Sequence, residues 1–517
     1  MAKKNYSLAI LVFLLMVATV LNSLTLRKNL PFVHEVDEQT FVDAAVNISD
    51  SGSLNPGFFG HPGSTLIYPL VLIYHLKNSL ENGDFFNWPD EGMRASMDES
   101  SSIFYYSGRL LSLLYALLTL PVLFLVSRQA FNKKAALLAV LLYIFIPTVI
   151  HFNTYIRTES VTIFFILLSL WRILKTFDQP SWGNHLWSGV FIGLAIASRY
   201  FAAALIPLLL TVDLIHLIKR SDQRREILVS ALSTMLVIIF IFIAVTPFML
   251  LDPKNFLGDI LNEARDFHPG VVVMSRPENF STIIFTHIPS IITWPQAILA
   301  VIGIFLAGIR KNIPQILLAW FGLLFLLVIS FPALNWDRWV IPAIPVLVMF
   351  TAYGLLFISG EVSQRLRLNS AGKFVFTGLL IGLIWVYPAF QSIQYSVRSY
   401  NKSTRLIARE WIIENIPPGS KIALDYYTPP LSDLDYELLE VFNLSSNKNL
   451  DFFYEEDFQY LVVSSGNYDR YISKQEFFPE DAGFYLEIFE EENQVYEVGP
   501  SRFRGGPVIK VFELSRR

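Results

Sequence analysis

Residues 227–250 read ILVSALSTMLVIIFIFIAVTPFML, a run without one charged side chain. A helix needs about 20 mostly apolar residues to cross the hydrocarbon of a bilayer, so this stretch identifies lipid as the chain's solvent. Lys219, Arg220, Arg224 and Arg225 stand just before it, and a polar stretch opens just after it at Asp252. Working outward, comparable runs lie at 6–26, 103–126, 135–152, 160–174, 185–197, 201–218, 291–308, 315–331, 340–358 and 374–389. Together they predict about eleven spans. The composition agrees: 53% of the 517 residues are hydrophobic, 16% are charged, and the mean hydropathy is +0.45. A soluble chain carries about 25% charged residues. The first run is too long for a cleavable signal and is followed by no small-residue cleavage site.

Basic residues mark the orientation, because cytoplasmic linkers hold an excess of Lys and Arg. Lys3 and Lys4 precede the first run. Every second linker is then basic: Arg128, Lys133 and Lys134; Arg172 and Lys175; Lys219 to Arg225; Arg310 and Lys311; Arg365, Arg367 and Lys373. An odd number of spans with the N-terminus inside puts the C-terminus outside. The outer face then holds a loop at 27–102, a second at 251–290 and the tail. The expected fold is mostly α: a polytopic transmembrane bundle over 1–390 and a small extracytoplasmic α/β domain over 391–517. Within that tail, 405–416 reads as an amphipathic helix with Leu406, Ile407, Trp411, Ile412 and Ile416 on one face. Pro417-Pro418-Gly419 stops it, and strand-like runs follow at 421–424, 460–463 and 508–512.

A net charge of -4 argues against a nucleic-acid partner. The absence of Cys excludes thiol catalysis and Cys-ligated metal sites. Carriers keep their polar residues near the midplane of the bundle, whereas here they gather on one face. That pattern suits a reaction at the membrane surface.

On that face the first loop opens with Asp37-Glu38. An isolated acidic pair is as a rule a solvated loop. Next to a span, partial desolvation strengthens a carboxylate as a base so long as it stays ionised. Asn55-Pro56-Gly57-Phe58-Phe59-Gly60-His61-Pro62-Gly63 follows as a tight turn. The apolar stretch 64–76 after it is too short to span, and is expected to lie in the interface. Arg157 with Glu159, Arg199, and Arg338 stand at the outer ends of spans. Singly, each is most simply a snorkelling residue. Three arginines at one level suit a phosphate, whose oxygens match the guanidinium fork. Asp433-Leu434-Asp435 imitates a metal-binding Asp-x-Asp, but no nucleotide-binding domain surrounds it.

In this order, Asp37-Glu38, His61-Pro62-Gly63, Gly108-Arg109, Arg157-x-Glu159, Arg199-Tyr200 and Arg338-Trp339, followed by Glu410-Trp411-Ile412 in the tail, resemble the GT-C superfamily. These are polyprenol-phosphate-sugar glycosyltransferases, among them protein O-mannosyltransferases and aminoarabinose transferases. The resemblance implies an integral-membrane hexosyl or pentosyl transferase of the cell membrane, with its active site on the extracytoplasmic face. Asp37 would be the catalytic base with Glu38 beside it. Arg157, Arg199 and Arg338 would bind the donor phosphate, and His61, Glu159 and His268 would line the substrate cavity. The implied partners are a polyprenyl-phosphate-linked sugar, a hydroxyl acceptor on protein, lipid or glycan, and the bilayer. No cofactor is expected: a monophosphate leaving group held by arginines needs no metal in principle, although a divalent cation stays open. The alternative is a transporter or flippase for a lipid-linked glycan.

Overall fold

The computed structural model describes residues 6–32, 36–83, 88–263, 265, 267–446 and 449–514. Lys3 and Lys4, cited for orientation, lie outside them. The chain divides into two compact units. One comprises Met1–Leu26, Val36–Asp266 and Met274–Ser392; the other comprises Arg27–Glu35, Phe267–Val273 and Ile393–Arg517.

The larger unit is helical throughout. Its N-terminal half runs α1 (Tyr6–Ser23), α2 (Val36–Ser51), α3 (Ser64–Asn82), α4 (Met93–Ala130), α5 (Lys133–Ile144) and α6 (Pro147–Asn153). Next come α7 (Thr158–Asp178), α8 (Trp182–Ser198), a 3-10 turn (Tyr200–Ala204), α9 (Leu205–Lys219), α10 (Arg224–Val245), α11 (Phe248–Leu251) and α12 (Pro253–Glu263). After the second loop follow α13 (Arg276–Thr282), a π-turn (Ile283–His287), α14 (Ile288–Ile292), α15 (Trp294–Ile309) and α16 (Ile313–Ile329). A 3-10 turn (Asp337–Ala343), α17 (Ile344–Arg365) and α18 (Ser370–Tyr400), whose residues from Ile393 on count with the smaller unit, complete the series.

Every apolar run of the sequence is helical, but not every one is long enough to cross a bilayer. Among the described residues seven helical runs are long and apolar enough, or up to nine when two bent pairs each count as one. The bends are 74° between α5 and α6 and 116° before α15. The two runs left over lie on α8 and α16, of 17 residues each. At 1.5 Å per residue such a helix measures about 25 Å, short of a hydrocarbon core of about 30 Å. The stretch expected at 64–76 is longer than its apolar content suggested: α3 continues to Asn82, carried by a Lys77–Glu81 pair one turn apart.

The surface of this unit fits a lipid solvent. Leu228, Leu232, Leu236, Ile239 and Phe240 of α10 are exposed, as are Phe374, Val375, Leu379 and Leu383 of α18. Apolar side chains on that scale cannot face water. Helix contacts instead use small residues, since burial from lipid supplies no hydrophobic drive. A Cβ on Gly303 of α15 would stand 2.4 Å from the Phe350 carbonyl of α17, and one on Gly354 would stand 2.3 Å from the Leu299 carbonyl. The two backbones touch there.

The smaller unit is built on a five-stranded sheet. It opens with α19 (Thr404–Asn415), β1 (Lys421–Leu424), β2 (Glu437–Glu440), α20 (Leu450–Glu455) and β3 (Tyr460–Ser464). It continues with α21 (Ser465–Ile472), α22 (Pro479–Glu491), β4 (Asn493–Val498) and β5 (Ile509–Glu513). The strand order is β2-β1-β3-β5-β4. β1 is parallel to β2 and β3, and the other pairings are antiparallel. Alternation decides the layers: Ile422, Leu424 and Val462 meet Ala408 and Ile412 of α19, while Ala423, Leu461 and Val463 meet Tyr471, Tyr485 and Ile488 of α21 and α22. Pieces of both long loops join this unit. The Arg409 guanidinium lies 4.5 Å over the Phe32 ring, and Lys474 donates to the Gly270 carbonyl at 3.3 Å.

Candidate functional site

Asp37 and Glu38 open the first turn of α2. Neighbours on a helix point about 100° apart, so the two carboxylates face different surroundings. Glu38 turns inward and is fully buried, whereas the Asp37 side chain is 48% exposed. Arg109 of α4 holds Glu38 with two prongs, Nε to Oε1 at 2.9 Å and Nη2 to Oε2 at 2.6 Å. The Ile156 amide donates to the same Oε1 at 3.1 Å, and Arg109 Nη1 donates to the Leu26 carbonyl at 3.0 Å. Gly108 makes the approach possible, because a Cβ there would stand 2.6 Å from Ile156 Cδ1. Expected as a second catalytic carboxylate, Glu38 is instead the inner anchor of α2, and Asp37 alone faces outward.

Asp37 Oδ2 accepts from Arg157 Nη1. Arg157 stands at the N-terminus of α7 and places its Nε 3.3 Å from Glu159 Oε2. Glu159, fully buried in the first turn of α7, accepts from Arg199 Nη1 at 2.9 Å through its other oxygen. Arg199 follows the last residue of α8. Three helix ends thus carry one alternating chain of charge: Asp37, Arg157, Glu159, Arg199. The Arg338 guanidinium lies 4.6 Å over the Trp336 ring, and its charge reaches His61 together with those of Arg199 and Arg157. The cluster therefore carries more positive than negative charge. Among the described residues, Nε and Nη2 of Arg199 and Nε of Arg338 are buried with no hydrogen-bond partner. Buried donors are nearly always paired, and a guanidinium pairs best with phosphate or carboxylate.

Arg199 borders a cavity of about 340 Å³. Its wall includes His61, Arg199, Tyr200, Phe201, Trp339 and Glu263. Burial first, then the charges of Arg199 and Arg157, push the His61 imidazole down to about 3. His61 is accordingly a neutral donor and acceptor in a cationic setting. The loop carrying it is fixed from two sides: Tyr200 donates its hydroxyl to the Phe59 carbonyl at 2.9 Å, and the Phe59 amide donates to Asp259 of α12 at 2.7 Å.

Asp37, Arg157, Glu159, Arg199 and His61 converge, with Arg338 within electrostatic reach. His268 belongs to the smaller unit, edge-on to Phe442 at 6.2 Å, with Nδ1 3.0 Å from the Pro269 carbonyl. Asp433 is held by both prongs of Arg409 at 2.7 Å. Two residues of the larger unit were not assigned from the sequence. Arg109 had a usable signal, since a lone charge inside an apolar run requires a buried partner. Glu263 had none, standing at the end of a short polar helix.

Residues 105–250 match the dolichyl-phosphate-mannose-protein mannosyltransferase family. Over nearly the whole chain the structure is similar to the archaeal oligosaccharyltransferase AglB from Archaeoglobus fulgidus, solved with an inhibitory peptide and a dolichol-phosphate. The TM-score is 0.53 at 13% identity, covering 96% of this chain and 74% of that one. It is similar too to ArnT from Cupriavidus metallidurans in the apo state, with a TM-score of 0.52 at 15% identity and 97% of each chain covered. ArnT bound to undecaprenyl phosphate matches with a TM-score of 0.52 at 14% identity over 97% of each chain. A search of curated protein sequences finds no match. The family match and the shared fold support the resemblance to the GT-C superfamily drawn from the order of the motifs.

Proposed function

We propose that the protein is a membrane glycosyltransferase that moves a sugar from a polyprenyl-phosphate carrier to a hydroxyl acceptor. The observation that carries this reading is the outward Asp37 carboxylate, tied by Arg157 to a cluster whose Arg199 retains two unpaired buried donors. The matched AglB and ArnT structures contain dolichol-phosphate and undecaprenyl phosphate, which supports a phosphate of the same class beside these arginines.

The reaction is a single displacement. Asp37 accepts the proton of the acceptor hydroxyl as that oxygen attacks the anomeric carbon. The bond from that carbon to the phosphate oxygen breaks, and polyprenyl phosphate leaves with the electron pair. Arg199 and Arg338 take up the charge growing on the phosphate, at a place where water is largely excluded. One displacement inverts the anomeric centre. Glu159 does not react: it holds Arg157 and Arg199 at fixed spacing and offsets their mutual repulsion.

Asp37→Asn tests the assignment in full-length protein supplied with undecaprenyl-phosphate sugar. Transfer should fall about 10²- to 10⁴-fold, the usual worth of a general base, while thermal unfolding stays near that of wild type. Transfer at the wild-type rate would remove Asp37 from the mechanism. The extracytoplasmic placement of the site rests on the basic linkers, and a reporter fused after Arg517 tests it. Activity of a periplasm-dependent reporter there is the expected result.

A further inference from the structure

We propose that Glu263 binds the transferred sugar itself and sets which sugar is accepted; this rests on the function proposed above. Glu263 ends α12, whose residues Phe256, Asp259, Ile260 and Glu263 share one face at helical spacing. That face is docked on the loop before His61. Phe256 meets Phe59 edge-on at 6.0 Å, and Asp259 receives the Phe59 amide at 2.7 Å. One turn further on, Glu263 lies over Gly60: a Cβ there would stand 2.8 Å from Glu263 Cγ and 2.9 Å from Oε1. Gly60 therefore leaves room for a carboxylate at the wall of the cavity that Arg199 also lines.

The position is chemically distinctive. The acids of the charged cluster are bound to arginine, Glu38 to Arg109, Asp37 to Arg157, and Glu159 to Arg157 and Arg199, while Asp259 is taken by the Phe59 amide. No ion pair of Glu263 occurs among the described residues. An acid facing the cavity without a cation accepts hydrogen bonds from whatever donors enter, and the lipid phosphate offers none. The transferred sugar does, through hydroxyl or amino groups. Tyr200, Phe201 and Trp339, which line the same cavity, supply flat apolar surface for its C–H faces.

Binding to the full chain in lipid nanodiscs tests this, with undecaprenyl phosphate alone as one probe and undecaprenyl phosphate bearing each of a set of neutral and amino sugars as the other. Glu263→Ala should weaken the preferred sugar-bearing probe about tenfold or more, and leave bare undecaprenyl phosphate within about twofold. Gly60→Ala, which displaces the carboxylate without removing it, should act in the same direction. Glu263→Gln separates the two donors: affinity is largely kept where neutral hydroxyls are the partners, and lost where an ammonium is. Equal weakening of both probes, or no weakening of either, overturns the assignment. Wild-type protein that fails to bind undecaprenyl phosphate at all overturns the proposed function, and this inference with it.

Discussion

Arg109 and Glu38, 71 residues apart, meet in a pair from which water is excluded, Nε to Oε1 at 2.9 Å and Nη2 to Oε2 at 2.6 Å. The Ile156 amide shares the carboxylate, and Ile156 directly precedes Arg157. One buried charge pair thus fixes the start of α2, and with it Asp37, against the start of α7, which supplies the guanidinium that holds Asp37.

Removing one member leaves the other charged, buried and unpaired. Arg109→Ala and Glu38→Ala should each destabilise the larger unit by about 3–5 kcal/mol. The double variant should lose clearly less than the sum, because the interaction can be lost only once. Unfolding of the four proteins in one detergent measures this, and additive losses would show that the two side chains do not act as a pair.

This pair also shows what could be read in advance. The apolar runs were legible because lipid imposes one rule over some twenty residues at a time, and all of them are helical. The charged residues at span ends were legible as a set, since Asp37, Arg157, Glu159 and Arg199 each stood out against apolar surroundings. Their partners were not. Whether Glu38 or Asp37 turned inward depended on the phase of α2, which two adjacent carboxylates do not reveal. β2, with Glu at both ends, and β4, which begins Asn493-Gln494, gave no apolar alternation to detect. His268 belongs to the seven-residue segment Phe267–Val273 that joins the smaller unit, a grouping set by contacts such as Lys474 to Gly270 rather than by local pattern.

Arg199 contributes both charge and geometry, and two variants separate these. Arg199→Gln removes the cation and should lower the transfer rate about 10²- to 10³-fold, the typical worth of one donor to a developing anion. Arg199→Lys keeps a charge for Glu159 but loses the fork, and should fall between Gln and wild type. Transfer rates with saturating donor decide the point. Indistinguishable rates for all three proteins would place the phosphate elsewhere.

His61 offers a test by pH. Its imidazole is pushed down to about 3 in the folded protein, from 6.5 when unfolded, by burial and by Arg199 and Arg157. Between those values the unfolded chain binds a proton that the folded chain does not, so stability from this group is complete above 6.5 and is lost as pH falls toward 3. Lowering pH from 7.5 to 5 should destabilise wild type more than His61→Asn. The acidic limb of the transfer rate, by contrast, should be the same in both proteins, because His61 stays neutral throughout. An acidic limb that disappears with His61 would make it a titrating participant in the reaction.

Asp425, in the smaller unit, should behave in the opposite sense. It follows β1 fully buried, accepting from the Asn467 side-chain amide at 2.8 Å, the Leu444 backbone amide at 3.1 Å and the Tyr485 hydroxyl at 2.9 Å. Burial outweighs these bonds and pushes its carboxyl up to about 7 from 3.8. Between those values the folded state keeps a proton that the unfolded state has released. The stability Asp425 contributes is therefore complete below 3.8 and is lost as pH rises through 7, at roughly 1.4 kcal/mol per pH unit. Hydrogen exchange of residues 421–428 and 465–472 should accelerate between pH 5.5 and 8 beyond the chemical rate. Asp425→Asn, which presents a neutral group of the same shape to Tyr485 and Asn467, should remove most of that dependence. An unchanged slope in the variant would mean that Asp425 is already ionised across the range, with its donors sufficient to hold the charge inside the fold.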